Sequence, residues 1–146
     1  MLVTKKELIK FRLADDEACT LCLRPDSIEH TFLDCTVTTA FYSQAIPWFN
    51  KKNDTDITLS NKQITFNDTS HLTYLTDYPR RRLRLFIIVF KQYIYSCKCF
   101  EKTPNLQDFK EKLHYNGKLR IVFFPNSKIG KICQSLNVLF SVLPAL

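Results

Sequence analysis

The segment Cys19-Thr-Leu-Cys22-Leu-Arg-Pro-Asp-Ser-Ile-Glu-His30-Thr-Phe-Leu-Asp-Cys35 decides how the rest of this chain is interpreted. It spaces three cysteines and one histidine as C-x2-C-x7-H-x4-C. Zinc takes about four thiolate or imidazole ligands at tetrahedral corners, and a C-x2-C turn brings two thiolates to one ion. We therefore predict one zinc site, with Cys19, Cys22, His30 and Cys35 as its ligands. Because four protein ligands leave no position for water, we expect this zinc to be structural rather than catalytic.

Two other interpretations of the cysteines stay open. A redox C-x-x-C pair usually begins a helix after a strand of a βαβ unit, a pattern that this sequence does not show. A disulfide framework is compatible with the even number of six cysteines. However, no apolar secretory run follows Met1, so we expect a cytoplasmic or nuclear protein with reduced thiols. The remaining cysteines lack a histidine at ligand spacing and are interpreted as core or surface thiols: Cys97, Cys99 and Cys133.

Helix signals lie on both sides of the C-x2-C turn. Thr4 and Glu7 have the spacing of a capping box for a short helix over residues 3–12. Asp26 and Ser27 can cap a second helix, predicted over residues 28–49, which carries His30 and Cys35 on its first turns. Since five residues separate these two ligands, the helix must begin near His30 or bend.

Beyond residue 49 the sequence divides into a polar stretch, a helical stretch and a tail. Residues 50–78 are rich in Asn, Asp, Thr, Ser and Lys and predict a long polar loop with a short strand at residues 64–66. Residues 79–124 predict a helical segment, and residues 125–146 form a poorly defined tail. With a zinc-knuckle domain at residues 1–49, the predicted fold class is mainly α.

Two helices are predicted inside the segment 79–124. In the first, apolar residues recur at helical spacing from Leu83 to Cys97, and Arg84, Lys91 and Lys98 lie off that stripe. A strand is the minority alternative here, because β-branched and aromatic residues are abundant. The second helix is expected to begin at Thr103-Pro104 and to stop near Asn116-Gly117.

The charge balance points to polyanions without identifying one. The chain has 21 Lys and Arg against 14 Asp and Glu, a formal net charge of +7. Any one cluster of charges is more often a solvated face than a binding site. The candidates for phosphate contacts are Lys5, Lys6, Lys10, Arg12 and Arg24 near the predicted metal site, and Arg80, Arg81, Arg82 and Arg84 farther along the chain.

Several function classes have no support in the sequence. The most apolar stretch, residues 83–90, is far shorter than the roughly 20 residues that cross a bilayer, so no membrane span is predicted. There is no Ser/His/Asp arrangement and no Gly-rich phosphate loop, and the fragment Asp108-Phe-Lys110 lacks a partner carboxylate. We predict neither catalytic activity nor a small-molecule substrate.

From Thr4 through Phe41 the chain resembles the zinc-binding domain at the C-terminal end of reverse transcriptases from non-LTR (LINE-type) retrotransposons. Two departures, Thr36 where many members have Pro and Phe41 where many have Trp, do not involve a ligand. The matching residues are Thr4, Glu7, Leu8, Phe11, Leu13, Cys19-Thr-Leu-Cys22, Ser27-Ile-Glu-His30-Thr-Phe32-Leu-Asp-Cys35 and Phe41.

This resemblance implies a zinc-binding and nucleic-acid-binding module derived from a retrotransposon reverse transcriptase. Its expected partners are RNA or DNA and the body of a reverse transcriptase, whose catalytic residues would lie upstream. The alternative is a zinc-stapled structural or protein-interaction domain that makes no direct contact with nucleic acid.

Overall fold

The computed structural model describes residues 4–70 and 72–123. Within these ranges the chain forms five α-helices and one π-helical turn, and it contains no β-strand. The mainly α prediction is confirmed, with the Cys/His segment preceding most of the helices. In chain order the elements are α1 (Lys5–Lys10), the π-turn (His30–Asp34), α2 (Thr36–Asn53), α3 (Asn61–Phe66), α4 (Asp77–Cys99) and α5 (Leu106–Phe123).

The first helix has both of its ends determined by local sequence. At its start the carboxylate of Glu7 accepts a hydrogen bond from the backbone N–H of Thr4 at 3.0 Å, which confirms the predicted capping box. At its end the Leu13 N–H donates to the Leu8 carbonyl and the Arg12 N–H donates to the Ile9 carbonyl, both at 2.9 Å. This pair of bonds is a Schellman motif, which ends α1. The residues that carry the four predicted ligands, 19–35, follow and are called the metal-binding segment below.

Helix α3 replaces the strand predicted at residues 64–66, so that prediction is wrong. The Ser60 N–H donates to the Gln63 side chain at 2.6 Å, and the Ser60 hydroxyl accepts from the Gln63 N–H at 3.4 Å. These are the two bonds of a capping box, and the S-x-x-Q spacing was present in the sequence. The segment 50–78 is therefore not an uninterrupted loop.

Helices α4 and α5 occupy most of the predicted segment 79–124. The apolar stripe from Leu83 to Cys97 is buried in α4, which confirms a helix rather than a strand. Helix α5 is capped by Asn105, whose side-chain oxygen accepts from the Gln107 and Asp108 N–H groups. It therefore begins two residues after the predicted Thr103-Pro104 pair and continues past Asn116-Gly117. The predicted tail, residues 125–146, lies outside the described residues.

A cluster of aromatic rings joins α2, α4 and α5. Phe109 of α5 is fully buried, with its ring centroid 5.6 Å from Phe41, 5.4 Å from Phe86 and 5.5 Å from Tyr93. Edge-to-face contacts of this kind add to the stabilisation from burial alone. The same core includes Phe32 from the π-turn and Ile57 from the segment between α2 and α3. Residues of all three predicted segments up to 124 thus share one core.

Candidate metal centre

The first two predicted ligands lie on a tight turn between Ala18 and Pro25. These two residues form an antiparallel bridge, and the Cys19 N–H donates to the Arg24 carbonyl at 2.7 Å. The Leu23 N–H donates to the Cys19 carbonyl at 2.8 Å, and Leu23 itself is left-handed with φ of 64°. The turn brings Cys19 and Cys22 together, as the C-x2-C spacing predicts.

The other two ligands lie at the ends of the π-turn. The Ser27 hydroxyl accepts from the His30 N–H at 3.0 Å, so the cap at this position is Ser27, as predicted. The Cys35 N–H then donates to the His30 carbonyl at 2.7 Å, a bond that spans five residues. Cys35 is extended, with φ of −66° and ψ of 121°, and α2 begins only after it.

The predicted continuous helix over residues 28–49 is therefore wrong, and the ligand spacing explains why. Side chains five residues apart on an α-helix diverge by about 140° around its axis. A π-turn that ends in an extended Cys35 lets the sulfur turn back towards the imidazole. The bend that the ligand spacing required is present as a break between two helical elements.

The four predicted ligands meet at one point. Their ligand atoms, three Sγ and one imidazole nitrogen, all lie within 4.8 Å of one another. The Cys22 Sγ is 3.1 Å from the Nε2 of His30. Ligand atoms of a tetrahedral zinc site are expected about 3.5–3.8 Å apart, given Zn–S and Zn–N distances of roughly 2.3 and 2.0 Å. The cluster can accordingly hold one metal ion with little rearrangement.

The cluster is mostly inside the protein. Cys19, His30 and Cys35 are buried, and Cys22 is half-buried. All described cysteines are free thiols, so no disulfide competes for them within the described residues. In those same residues, no other group of three or more His, Cys, Asp or Glu side chains has ligand geometry. Cys97 is buried and Cys99 exposed, as expected of core and surface thiols; Cys133 lies outside the described residues.

The surroundings adjust the protonation of the ligands in different directions. Burial raises the pKa of Cys19. Burial would also raise the pKa of Cys35, but hydrogen bonds from the Thr38 and Val37 N–H groups at the start of α2 outweigh it and lower that pKa. Burial lowers the pKa of His30, which favours the neutral imidazole that coordinates a metal.

A buried carboxylate, Asp26, joins this segment to the rest of the molecule. Its Oδ2 accepts from the Lys5 N–H of α1 at 2.8 Å, and its Oδ1 is paired with the Nζ of Lys98 near the end of α4. Lys98 also donates to the Thr31 hydroxyl of the π-turn at 2.8 Å. Asp26 is 1% and Lys98 6% exposed, so both charges are withdrawn from water and depend on each other.

The position of Lys98 corrects the sequence analysis, which placed it off the apolar stripe of α4. The helical pattern cannot show that a carboxylate 72 residues earlier in the chain meets this ammonium group. A second bond secures the same contact, because the Thr20 hydroxyl donates to the Lys98 carbonyl at 2.8 Å. The metal-binding segment is held against the C-terminal end of α4.

The candidate phosphate-binding residues near the metal are mostly available to solvent. Lys6, Lys10, Arg12 and Arg24 are exposed, whereas Lys5 forms an ion pair with Asp16 at 2.9 Å. Their neighbourhood is nevertheless acidic. Residues 4–35 contain five basic and seven acidic side chains, a formal charge of −2. Residues 36–123 contain fourteen basic and seven acidic side chains, a formal charge of +7.

The second predicted strip, Arg80 to Arg84, is only partly exposed. Arg82 is 6% exposed and lies 5.1 Å over the Tyr78 ring, so it does not face a ligand in solution. Arg80 donates to the carbonyls of Leu72 and Leu75 and thereby holds the loop before α4. Arg84 is exposed, whereas Arg81 is half-buried and lies 4.0 Å from the Asp77 carboxylate. Of the four arginines predicted to contact phosphate, Arg81 and Arg84 remain the candidates in this strip, because the other two are buried or bonded to backbone carbonyls.

No family model, curated protein or solved structure matches this chain. Within residues 4–70 and 72–123, no helix combines the length and the apolar character of a membrane span.

Proposed function

We propose that this protein is a zinc-stapled helical module that binds nucleic acid. The observation that carries the metal assignment is the convergence of three thiols and one imidazole within 4.8 Å. Thiolate and imidazole ligands at tetrahedral corners suit zinc, whereas magnesium and calcium prefer oxygen ligands. Four protein ligands complete the coordination shell, which favours a structural role over a catalytic one.

The structural role follows from what the ligands connect. Cys19 and Cys22 belong to the turn between residues 18 and 25, while His30 and Cys35 flank the π-turn. One ion bound to all four closes a loop of 17 residues that carries little apolar core of its own. Among residues 4–35, Phe32 is the one member of the buried hydrophobic core. The metal supplies the stabilisation that hydrophobic burial does not provide there.

Nucleic-acid binding is supported by the excess of positive charge on residues 36–123 and by the resemblance of residues 4–41 to the reverse transcriptase domain. A protein that contacts phosphates with Lys and Arg releases counterions, so its affinity falls steeply with salt. The polymerase relationship is a separate proposal. In-frame polymerase motifs in the genomic sequence upstream of Met1 would support it, and unrelated coding sequence there would count against it.

A second candidate function is favoured by exposed apolar residues close to the metal segment. Phe11, Leu13 and Leu23 are at least 72% exposed and lie within residues 4–35, whose formal charge is −2. Phe100, at the end of α4, is 80% exposed. Such a surface suits contact with another protein better than contact with phosphates. In that case the zinc would support a docking domain without direct contact to RNA or DNA.

The metal assignment is tested by measuring zinc in protein purified without added metal. We expect one zinc per chain, protection of three thiols from alkylation, and loss of zinc in Cys22→Ser. The matched control is Cys99→Ser, which removes an exposed thiol outside the cluster and should leave zinc unchanged. Zinc-free protein with rapidly alkylated thiols would refute the assignment.

Nucleic-acid binding is tested by fluorescence anisotropy with the zinc-loaded chain on single-stranded RNA, single-stranded DNA and duplex DNA. We expect binding that weakens as salt is raised. Absence of binding to all three probes at low salt would reject this part of the proposal and leave the protein-interaction candidate.

A further inference from the structure

We infer that nucleic acid binds as a single strand to a surface formed by α3 and the N-terminal half of α4, and not to the metal-binding end of the molecule. This inference rests on the proposed nucleic-acid binding and assigns its place and its preferred form of ligand. We call the four residues Lys62, Phe66, Arg81 and Arg84 the α3–α4 surface.

The distribution of charge is the first argument. Residues 60–95 contain six basic and two acidic side chains, a formal charge of +4. The metal-binding segment is negative before any ion binds, and three thiolates on one divalent ion add one further negative charge. Phosphates are attracted to the first region and repelled by the second.

Two hydrogen bonds from α4 hold the end of α3 and the residues that follow it. The Arg84 Nε donates to the Thr69 hydroxyl at 2.7 Å, and the Lys91 Nζ donates to the Thr65 carbonyl at 2.8 Å. Residues 65–69 are thereby held along α4 between Arg84 and Lys91. Phe66 lies inside this held segment, and Arg81 precedes Arg84 by three residues, so the two arginines are neighbours on the helix.

The exposed aromatic ring of Phe66 offers a surface on which a base can stack, which cations alone do not provide. Phe66 is 75% exposed although it ends a helix whose preceding residues Gln63 and Ile64 are buried. Lys62 lies one helical turn before it, on the same exposed face. Aromatic rings beside cations bind single-stranded nucleic acid, because unpaired bases stack on the ring while the cations contact the phosphates. In a duplex the bases are already stacked and do not reach Phe66.

The aromatic part of the inference has a matched control within this chain. Phe66→Ala is compared with Phe100→Ala, which removes an equally large ring that is 80% exposed at the metal-binding end. We expect Phe66→Ala to weaken single-strand binding by at least about fivefold, the lower end of one stacking contact. Duplex binding should be unchanged, and Phe100→Ala should behave as wild type with both probes.

The role of the cations is tested by reversing the charge of two residues on the α3–α4 surface and of two residues near the metal-binding segment. Lys62→Glu/Arg81→Glu changes one exposed and one half-buried cation. It is compared with Lys10→Glu/Arg24→Glu, which makes the same change in net charge at two exposed residues. We expect the first variant to flatten the salt dependence of single-strand binding by about 1.4 in log–log slope, for two lost phosphate contacts. The second variant should retain the wild-type slope. Zinc content and melting temperature establish that each variant is folded.

The possible outcomes separate this inference from the proposed function. Loss of binding only in the Lys10/Arg24 and Phe100 variants, or equal effects of both sets, overturns the location. Duplex binding as tight as single-strand binding, with Phe66→Ala unchanged, overturns the preference for single strands. Failure of the wild-type chain to bind any probe rejects nucleic-acid binding itself.

Discussion

At the scale of single residues, two residues with a Cβ atom have backbone dihedral angles that glycine would adopt with less strain. Leu23 and Arg12 have φ of 64° and 57°, in the left-handed region that disfavours residues with a Cβ atom. Leu23 lies in the turn that brings Cys19 and Cys22 together. Its side chain is 80% exposed and gains little from burial.

Leu23→Gly should therefore stabilise the zinc-loaded protein. Relief of left-handed strain outweighs the larger entropy loss of glycine on folding, for a net gain of about 0.5–1 kcal/mol. Urea unfolding of the zinc-loaded chain measures it. Leu13→Gly is the control, because Leu13 is exposed but has negative φ, and glycine there should lower the stability. Equal effects at both positions would contradict the explanation.

At the scale of elements, Pro47 interrupts the hydrogen bonding of α2. It lies in the interior of an 18-residue helix and is exposed, so its ring contributes little to the core. Proline lacks the N–H that would donate to the carbonyl of residue 43, and it costs about 3 kcal/mol relative to alanine in a helix interior.

Pro47→Ala should raise the free energy of unfolding by about 1–3 kcal/mol. Thermal unfolding followed by circular dichroism measures the change. Gln44→Ala, a replacement of one good helix former by another at an exposed position of α2, is the control and should shift the midpoint little. A lower stability of Pro47→Ala would mean that packing of α2 requires the proline.

The link between the metal-binding segment and α4 gives a second prediction at this scale. Lys98→Met leaves Asp26 buried without its cation and should cost about 3–5 kcal/mol. The double variant Asp26→Asn/Lys98→Met removes both charges and should recover part of that loss. Urea unfolding of the zinc-loaded proteins measures both variants.

The control for the ion pair is Lys102→Met, which breaks the exposed pair with Asp108. Solvent screening makes such pairs weak, so this variant should unfold close to wild type. If Lys98→Met is no more harmful than Lys102→Met, the buried pair does not hold the two parts together.

At the scale of the whole molecule, the Cys/His cluster and the hydrophobic core lie in different parts of the chain. Nearly all core residues follow Cys35, and the interlocked rings of Phe41, Phe86, Phe90 and Phe109 lie on α2, α4 and α5. The segment from Thr4 to Asp34 contributes Phe32 to that core. It is also joined to α4 by the buried Asp26–Lys98 pair, and on the proposed function a bound ion would supply much of its stability.

Removal of the metal with a chelator should consequently release residues 4–35 while α2, α4 and α5 stay folded. Hydrogen exchange read by mass spectrometry should show lost protection in the first segment only. Trp48 lies on α2, and its fluorescence should change little. Complete loss of protection in α4 on chelation would show instead that the metal stabilises the whole domain.

The local sequence was sufficient to predict those features whose interacting residues are close together along the chain. The metal ligands span 17 residues, the capping box of α1 spans four, and the apolar stripe of α4 repeats within one helix, so spacing alone predicted each of them. The S-x-x-Q spacing of Ser60 and Gln63 is equally local, so the strand predicted at residues 64–66 was wrong although the sequence contains the signal for α3.

The sequence by itself determined which side chains can hold a metal and that α1, α4 and α5 are helical. Only the tertiary structure decided that the helix is interrupted at Cys35, that Arg82 and Lys98 are buried, and that residues 65–69 are hydrogen-bonded to α4. Each of these depends on a partner distant in sequence or on ligands converging from separate elements. The spacing of apolar residues predicts a helix and its buried face, but it does not show which distant residue contacts that face.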